Sequence, residues 1–132
     1  MLNFVLKLNE LMTDSNFSPL VNEIIEGMED LKAKKITVLD MQNIENSICS
    51  FFVICEGGSN TQVKAISDSV EKRVRENLED KPWHVEGLDN AEWILMDYVD
   101  TVVHVFQPQT RAFYDLESLW GDAEITALEE KF

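Results

Sequence analysis

Gly57-Gly58-Ser59, directly ahead of a helical apolar stripe, is where backbone amides of this chain could approach a phosphate. Phosphoryl transfer of the nucleotidyltransferase kind needs such a turn. It also needs a closely spaced Asp-x-Asp or Asp-x-Glu on a strand to hold Mg²⁺. That second element is missing. Asp68 has no acidic residue two positions on, and Asp122-x-Glu124 lies in the C-terminal tail. Asp115-x-Glu117 falls in a helix-like run, where residues two apart do not face each other. The turn therefore reads as a helix cap. His84-Val85-Glu86 matches half of a zinc deaminase signature, but no Pro-Cys-x-x-Cys follows. Cys49, Cys55, His84 and His104 fit no common zinc spacing. No nucleophile elbow, Walker loop or dinucleotide fingerprint occurs. The residues thus give no catalytic group, no metal and no cofactor.

A binding surface is better supported. Trp93 to Trp120 reads WILMDYVDTVVHVFQPQTRAFYDLESLW, two strand-like runs and a helix-like run rich in aromatic, His, Arg and acidic side chains. If Tyr98 pairs near Thr101, Trp93 to Tyr98 and Thr101 to Phe106 form a hairpin. One of its faces carries Ile94, Met96, Val103 and Val105, the other Trp93, Leu95, Asp97, His104 and Phe106. The first is core. The second suits either the last helix or a partner. Val99-Asp100 is a poor tight turn, because such turns favour Gly or Asn. Trp93 divides evenly between core and interface, since a buried indole N–H wants an acceptor. Helical periodicity from Thr110 to Trp120 puts Phe113, Leu116, Leu119 and Trp120 inward and leaves Arg111, Tyr114 and Glu117 free.

Leu2, Val5, Leu6, Leu8, Leu11 and Met12 suit a short amphipathic helix within a 1–17 extension. Ser18 caps a helix that Pro19 opens, with Leu20, Val21, Ile24, Ile25, Met28 and Leu31 on one face. Gly27 weakens that signal. Strands are expected over Ile36 to Met41, Ile48 to Cys55 and Trp83 to Glu86, the second apolar on both faces and therefore central. Val63, Ile66, Val70, Val74 and Leu78 mark a helix that leaves Lys64, Glu71, Lys72, Arg73 and Arg75 solvated. The order predicts one α/β domain over 18–120, a mixed central β-sheet flanked by helices. The acidic tail, 121–132, reads as an amphipathic helix.

With 45% hydrophobic and 27% charged residues, the chain is globular. It has 25 acidic residues against 11 basic, net charge −14, which repels phosphate backbones and favours a basic partner. Direct nucleic-acid binding is not expected. Cys49 and Cys55 read as reduced, buried apolar groups. No run reaches the roughly 18 apolar residues of a membrane span, and the N-terminus suits no presequence, so a cytoplasmic protein is expected.

From Phe51 onward the residues carry a specific likeness. FFVICEGGSNTQVKAI, Trp93-Ile94-Leu95, Asp97, Val103-His104-Val105-Phe106 and Arg111-x-Phe113-Tyr114-Asp115-Leu116-Glu117-x-Leu119-Trp120 resemble the ribosomal silencing factor family, also called Iojap-related. The resemblance spans about Ile24 to Trp120. It implies a nucleotidyltransferase-like fold without catalytic acids. It also implies a non-enzymatic factor on the large ribosomal subunit, held at the conserved ribosomal protein numbered fourteen, where it blocks subunit joining and represses translation. Ser50 stands where the family has Asp, Glu56-Gly57-Gly58-Ser59 replaces Thr-Gly-Thr-Ser, and Val99 replaces a turn Gly. On this reading the partner-binding residues are Trp93, Asp97, Tyr98, Asp100, His104, Phe106, Arg111, Tyr114 and Glu117. Trp93, Tyr98 and Phe106 would be anchors, with Asp97, Asp100 and Glu117 facing Lys or Arg. A nucleotide-binding or nucleotidyltransferase enzyme using Gly58-Ser59 is the rival reading, and self-pairing as a homodimer through the aromatic patch is a third.

Overall fold

Ser18 sets the first described helix. The structure, a computed structural model, describes residues 17–130, so the helix expected within 1–17 lies outside the described residues. The Ser18 hydroxyl accepts from Val21 N at 3.1 Å, and Pro19 opens α1 (Pro19–Asp30). Ser59 does the same for α2 (Asn60–Leu78), its Oγ accepting from Gln62 N. Gly27 is the contact point between the two helices. A Cβ there would meet Val70 Cα at 2.9 Å, and Ser69 Oγ donates to the Gly27 carbonyl at 2.8 Å. The residue that weakens the helix in sequence is the one that lets the helices close. Arg73, expected to be solvated, instead bridges α2 to Glu23, Glu26 and Asp30 of α1.

The remaining elements are β1 (Lys34–Asp40), β2 (Phe51–Glu56), β3 (His84–Glu86), β4 (Trp93–Asp97), β5 (Thr101–Phe106), α3 (Pro108–Tyr114), α4 (Leu116–Leu119) and β6 (Glu124–Ala127). They make a six-stranded mixed sheet in the order β3-β4-β5-β2-β1-β6. Among the described strands only the central β2–β5 pair is parallel. Strands there are covered on both faces, which accounts for the unbroken apolar run of β2. The second expected strand begins later than read. Ser50 N and Phe51 N both donate to Asp100 O, and Ile48 is left exposed in the loop before β2.

The two sheet faces are covered unequally. Helices α1 and α2 bury Ile36, Val38, Phe51, Val53, Ile94, Met96, Val103 and Val105 on one. The other carries Leu39, Phe52, Ile54, Val102 and Phe106 beneath Met41, Cys49, Leu116 and Ala123, with Trp93, Leu95 and Trp120 only partly covered. Among the described residues, only short elements shield this second face. The hairpin register pairs Trp93 with Phe106, Leu95 with His104 and Asp97 with Val102, matching the face assignment read from the sequence.

Two expectations fail at the C-terminal end. The single helix expected over Thr110 to Trp120 is broken at Asp115, which adopts a left-handed φ of 47° and donates its N–H to Arg111 O. The tail is not helical over residues 124–127: it is strand β6, added antiparallel to β1. The β4–β5 turn is strained at the position the sequence singles out. Val99 has a φ of 80°, and Asp100 N donates to Tyr98 O at 3.0 Å, a γ-turn that a β-branched residue opposes. Val99 is exposed, so little burial is lost on trimming it. Val99→Gly is expected to raise unfolding free energy by about 0.5–1 kcal/mol, strain relief outweighing the added freedom of the unfolded chain. Urea denaturation checks this; a lowered midpoint would contradict it.

Candidate functional site

The thinly covered face carries a continuous chain of rings. Trp93, at the start of β4, stacks on Phe106 across the strand pair with centroids 4.9 Å apart and planes 28° apart. Tyr114 of α3 lies 4.7 Å from Trp93, and Phe113 meets Tyr114 edge-on. One row further along, His104 packs 4.6 Å from Phe52, which in turn meets Trp120 at 6.2 Å. The Trp93 indole N–H donates to His104 Nδ1 at 3.0 Å. The acceptor that Trp93 needs is therefore supplied from within the chain.

His104 is 3% exposed, and burial pushes its pKa down to about 3. The ring is neutral at physiological pH. With Nδ1 accepting the indole N–H, the remaining proton sits on Nε2. That Nε2 is buried and has no hydrogen-bond partner among the described residues.

Two further features fix the site. Gly87 has a φ of +91°, and a Cβ there would stand 1.9 Å from the Trp93 carbonyl oxygen. The bend after β3 thus presses directly on the backbone of Trp93. Gln107 closes the other side, its N–H donating to Glu92 O and its amide to Ala91 O. Arg111, near the end of α3, then locks that helix to the sheet. Its guanidinium donates to Lys35 O at 2.8 Å, Thr37 Oγ1 at 3.1 Å, Glu56 at 3.4 Å and Glu117 at 2.5 Å.

The residues singled out in the sequence divide into two groups. Trp93 and Asp97 are partly exposed, and Asp100 and Tyr114 are exposed, so these four are free to meet a partner. The anchors Tyr98 and Phe106 are corrected: they are 5% and 1% exposed. Tyr98 faces the α1–α2 core, its hydroxyl buried without a partner among the described residues. Phe106 lies beneath Trp93. Neither can touch a partner unless the fold opens. His104 and Arg111 are buried as well, whereas Glu117 is partly exposed and pairs with Arg111. The break at Asp115 explains the error, because it changes the helical phase. Arg111 and Leu116 turn inward, while Phe113 (79% exposed) and Leu119 (69% exposed) turn out. Sequence periodicity had assigned Phe113 and Leu119 to the core.

The phosphate-turn candidate is occupied by its own helix. Gly58 N donates to Gln62 Oε1 at 2.7 Å, and Ser59 Oγ takes the Gln62 amide. Among the described residues no three or more His, Cys, Asp or Glu side chains are grouped to hold a metal ion. His84 pairs with Glu86 on the exposed edge strand. Cys49 and Cys55 are free and buried; burial pushes the Cys49 thiol up to about 11 and Cys55 higher still. Among the described residues no helix is long and apolar enough to cross a membrane.

Fold and site together define an α/β protein whose mixed sheet is helix-packed on one face and ends in an aromatic surface on the other. The chain belongs to the ribosomal silencing factor family: the family model described as "Ribosomal silencing factor during starvation" matches residues 14–131. It is 41% identical over 111 residues to the ribosomal silencing factor RsfS of Halalkalibacterium halodurans, covering 83% of this chain and 92% of that one. It is likewise 41% identical over 102 residues to RsfS of Bacillus subtilis strain 168, covering 76% and 84%. A crystal structure of a protein from Chromobacterium violaceum superposes with a TM-score of 0.73 at 34% identity, covering 85% of this chain and 92% of that one.

Proposed function

We propose that this protein is a cytoplasmic ribosomal silencing factor. It binds the large ribosomal subunit through the conserved ribosomal protein numbered fourteen, excludes the small subunit and so represses translation. Membership of the family supports the class of activity. The observation that carries the surface is the run Trp93–Tyr114–Phe113, three contacting rings at the margin of the thinly covered face. Asp97 lies on the same face of β4 as Trp93, and Asp100 follows in the turn, so two carboxylates stand at the turn end of the hairpin whose other end carries the rings. A net charge of −14 suits a basic ribosomal partner. Burial of the rings supplies affinity, while the rim carboxylates tune on-rate and salt sensitivity.

Trp93→Ala is expected to weaken binding to purified large subunits by about thirtyfold, roughly 2 kcal/mol, as for a central aromatic anchor. Equal binding by wild type and variant would remove Trp93 from the interface. A second copy could pair through the same rings; sedimentation at several protein concentrations distinguishes that homodimer from a monomer.

A further inference from the structure

We propose that His104 is a positioning residue: its Nδ1 holds the Trp93 indole in the one orientation that presents the ring to a partner. The inference rests on the reading of Trp93 as an interface anchor. The geometry is direct, an N–H to Nδ1 distance of 3.0 Å across the β4–β5 pair. Phe106 beneath and Tyr114 beside the indole limit its tilt by stacking, but only a hydrogen bond sets which edge faces inward. Histidine is otherwise a poor choice for this place. Its neighbours Phe52 and Phe106 are apolar rings, the site is 3% exposed, and Nε2 is left unpartnered among the described residues. Burying a donor without an acceptor destabilises a fold, and an apolar ring of similar size would avoid that loss. What histidine adds is an acceptor, available because burial keeps the ring neutral. Preorganising an anchor in its bound orientation removes ordering losses that binding must otherwise overcome.

The test uses His104→Phe, which keeps a ring against Phe52 and removes Nδ1. Its thermal midpoint is expected to equal or exceed that of wild type, while affinity for purified large subunits falls by about tenfold. In a Trp93→Phe background, which lacks the indole donor, the same change should alter affinity by less than about twofold. Indole hydrogen exchange, followed by NMR, gives a readout that needs no ribosome. The Trp93 N–H should exchange far more slowly than that of Trp83, which is 81% exposed, and lose that protection in His104→Phe. Wild-type protection is read on the native protein, so this arm of the test stands even if the variant does not fold. Exchange at Trp93 as fast as at Trp83, or unchanged affinity of His104→Phe beside intact wild-type binding, overturns the positioning role alone. Absence of wild-type binding overturns the anchor reading with it.

Discussion

Replacing Arg111 with Met should lower the unfolding free energy by about 3–5 kcal/mol, the loss that follows removal of one partner from a buried ion pair. The guanidinium side chain is 10% exposed, against 12% for Glu56 and 26% for Glu117. It is also hydrogen-bonded to the Lys35 carbonyl and the Thr37 hydroxyl. Methionine fills the stem's volume but leaves two shielded carboxylates without their counterion. At roughly 3 °C per kcal/mol for a chain of this size, the melting midpoint should drop by about 9–15 °C. Arg111→Lys should not restore it, because a single ammonium cannot reach four acceptors arranged around a planar fork. The loss has a functional side. Arg111 is what ties α3, and with it Phe113 and Tyr114, to β1 and β2. A midpoint within a degree or two of wild type would contradict this account of how the aromatic surface is held.

Gly87→Ala should be comparably damaging, by about 3 kcal/mol or more, for a different reason. Two penalties coincide. The backbone is at a φ of +91°, which a Cβ opposes, and the added carbon would fall 1.9 Å from the Trp93 carbonyl. Backbone, not a flexible side chain, stands in the way. Relief requires moving the first residue of β4, which carries the proposed anchor. Gly58→Ala provides the control. There the nearest atom is the end of the Gln62 side chain at 3.5 Å, so an effect within about 1 kcal/mol is expected. Similar denaturation midpoints for the two variants would show that the Gly87 bend is more pliable than its geometry indicates.

Much of this fold is legible in the residues because local signals agree. Ser18-Pro19 and Ser59 mark both long helices, and period-two alternation fixes which side of the hairpin is core. The unmatched parts depend on distant contacts. Nothing near Asp115 announces a left-handed residue. Arg111 is drawn inward by Lys35 and Thr37, more than seventy positions away, and the phase of the next helix follows. Strand β6, Glu124–Ala127, has four exposed residues, and the Ile125/Ala127 alternation is too short to mark a strand by itself; pairing with β1 makes it one. Alternation separated the hairpin's faces but not the depth of cover on each, so Phe106 was indistinguishable from Trp93 as an anchor, whereas Tyr98 shares the parity of Ile94 and Met96 and lies on their core face. Val99 is the exception. Its departure from the family's glycine pointed to a turn that the structure places at positive φ.

Sucrose-gradient sedimentation of purified ribosomal subunits with this protein added decides whether it keeps the subunits apart. The protein is expected to travel with the large subunit, and joined ribosomes to be depleted. Protein remaining at the top of the gradient, with subunits joining as they do without it, would contradict it.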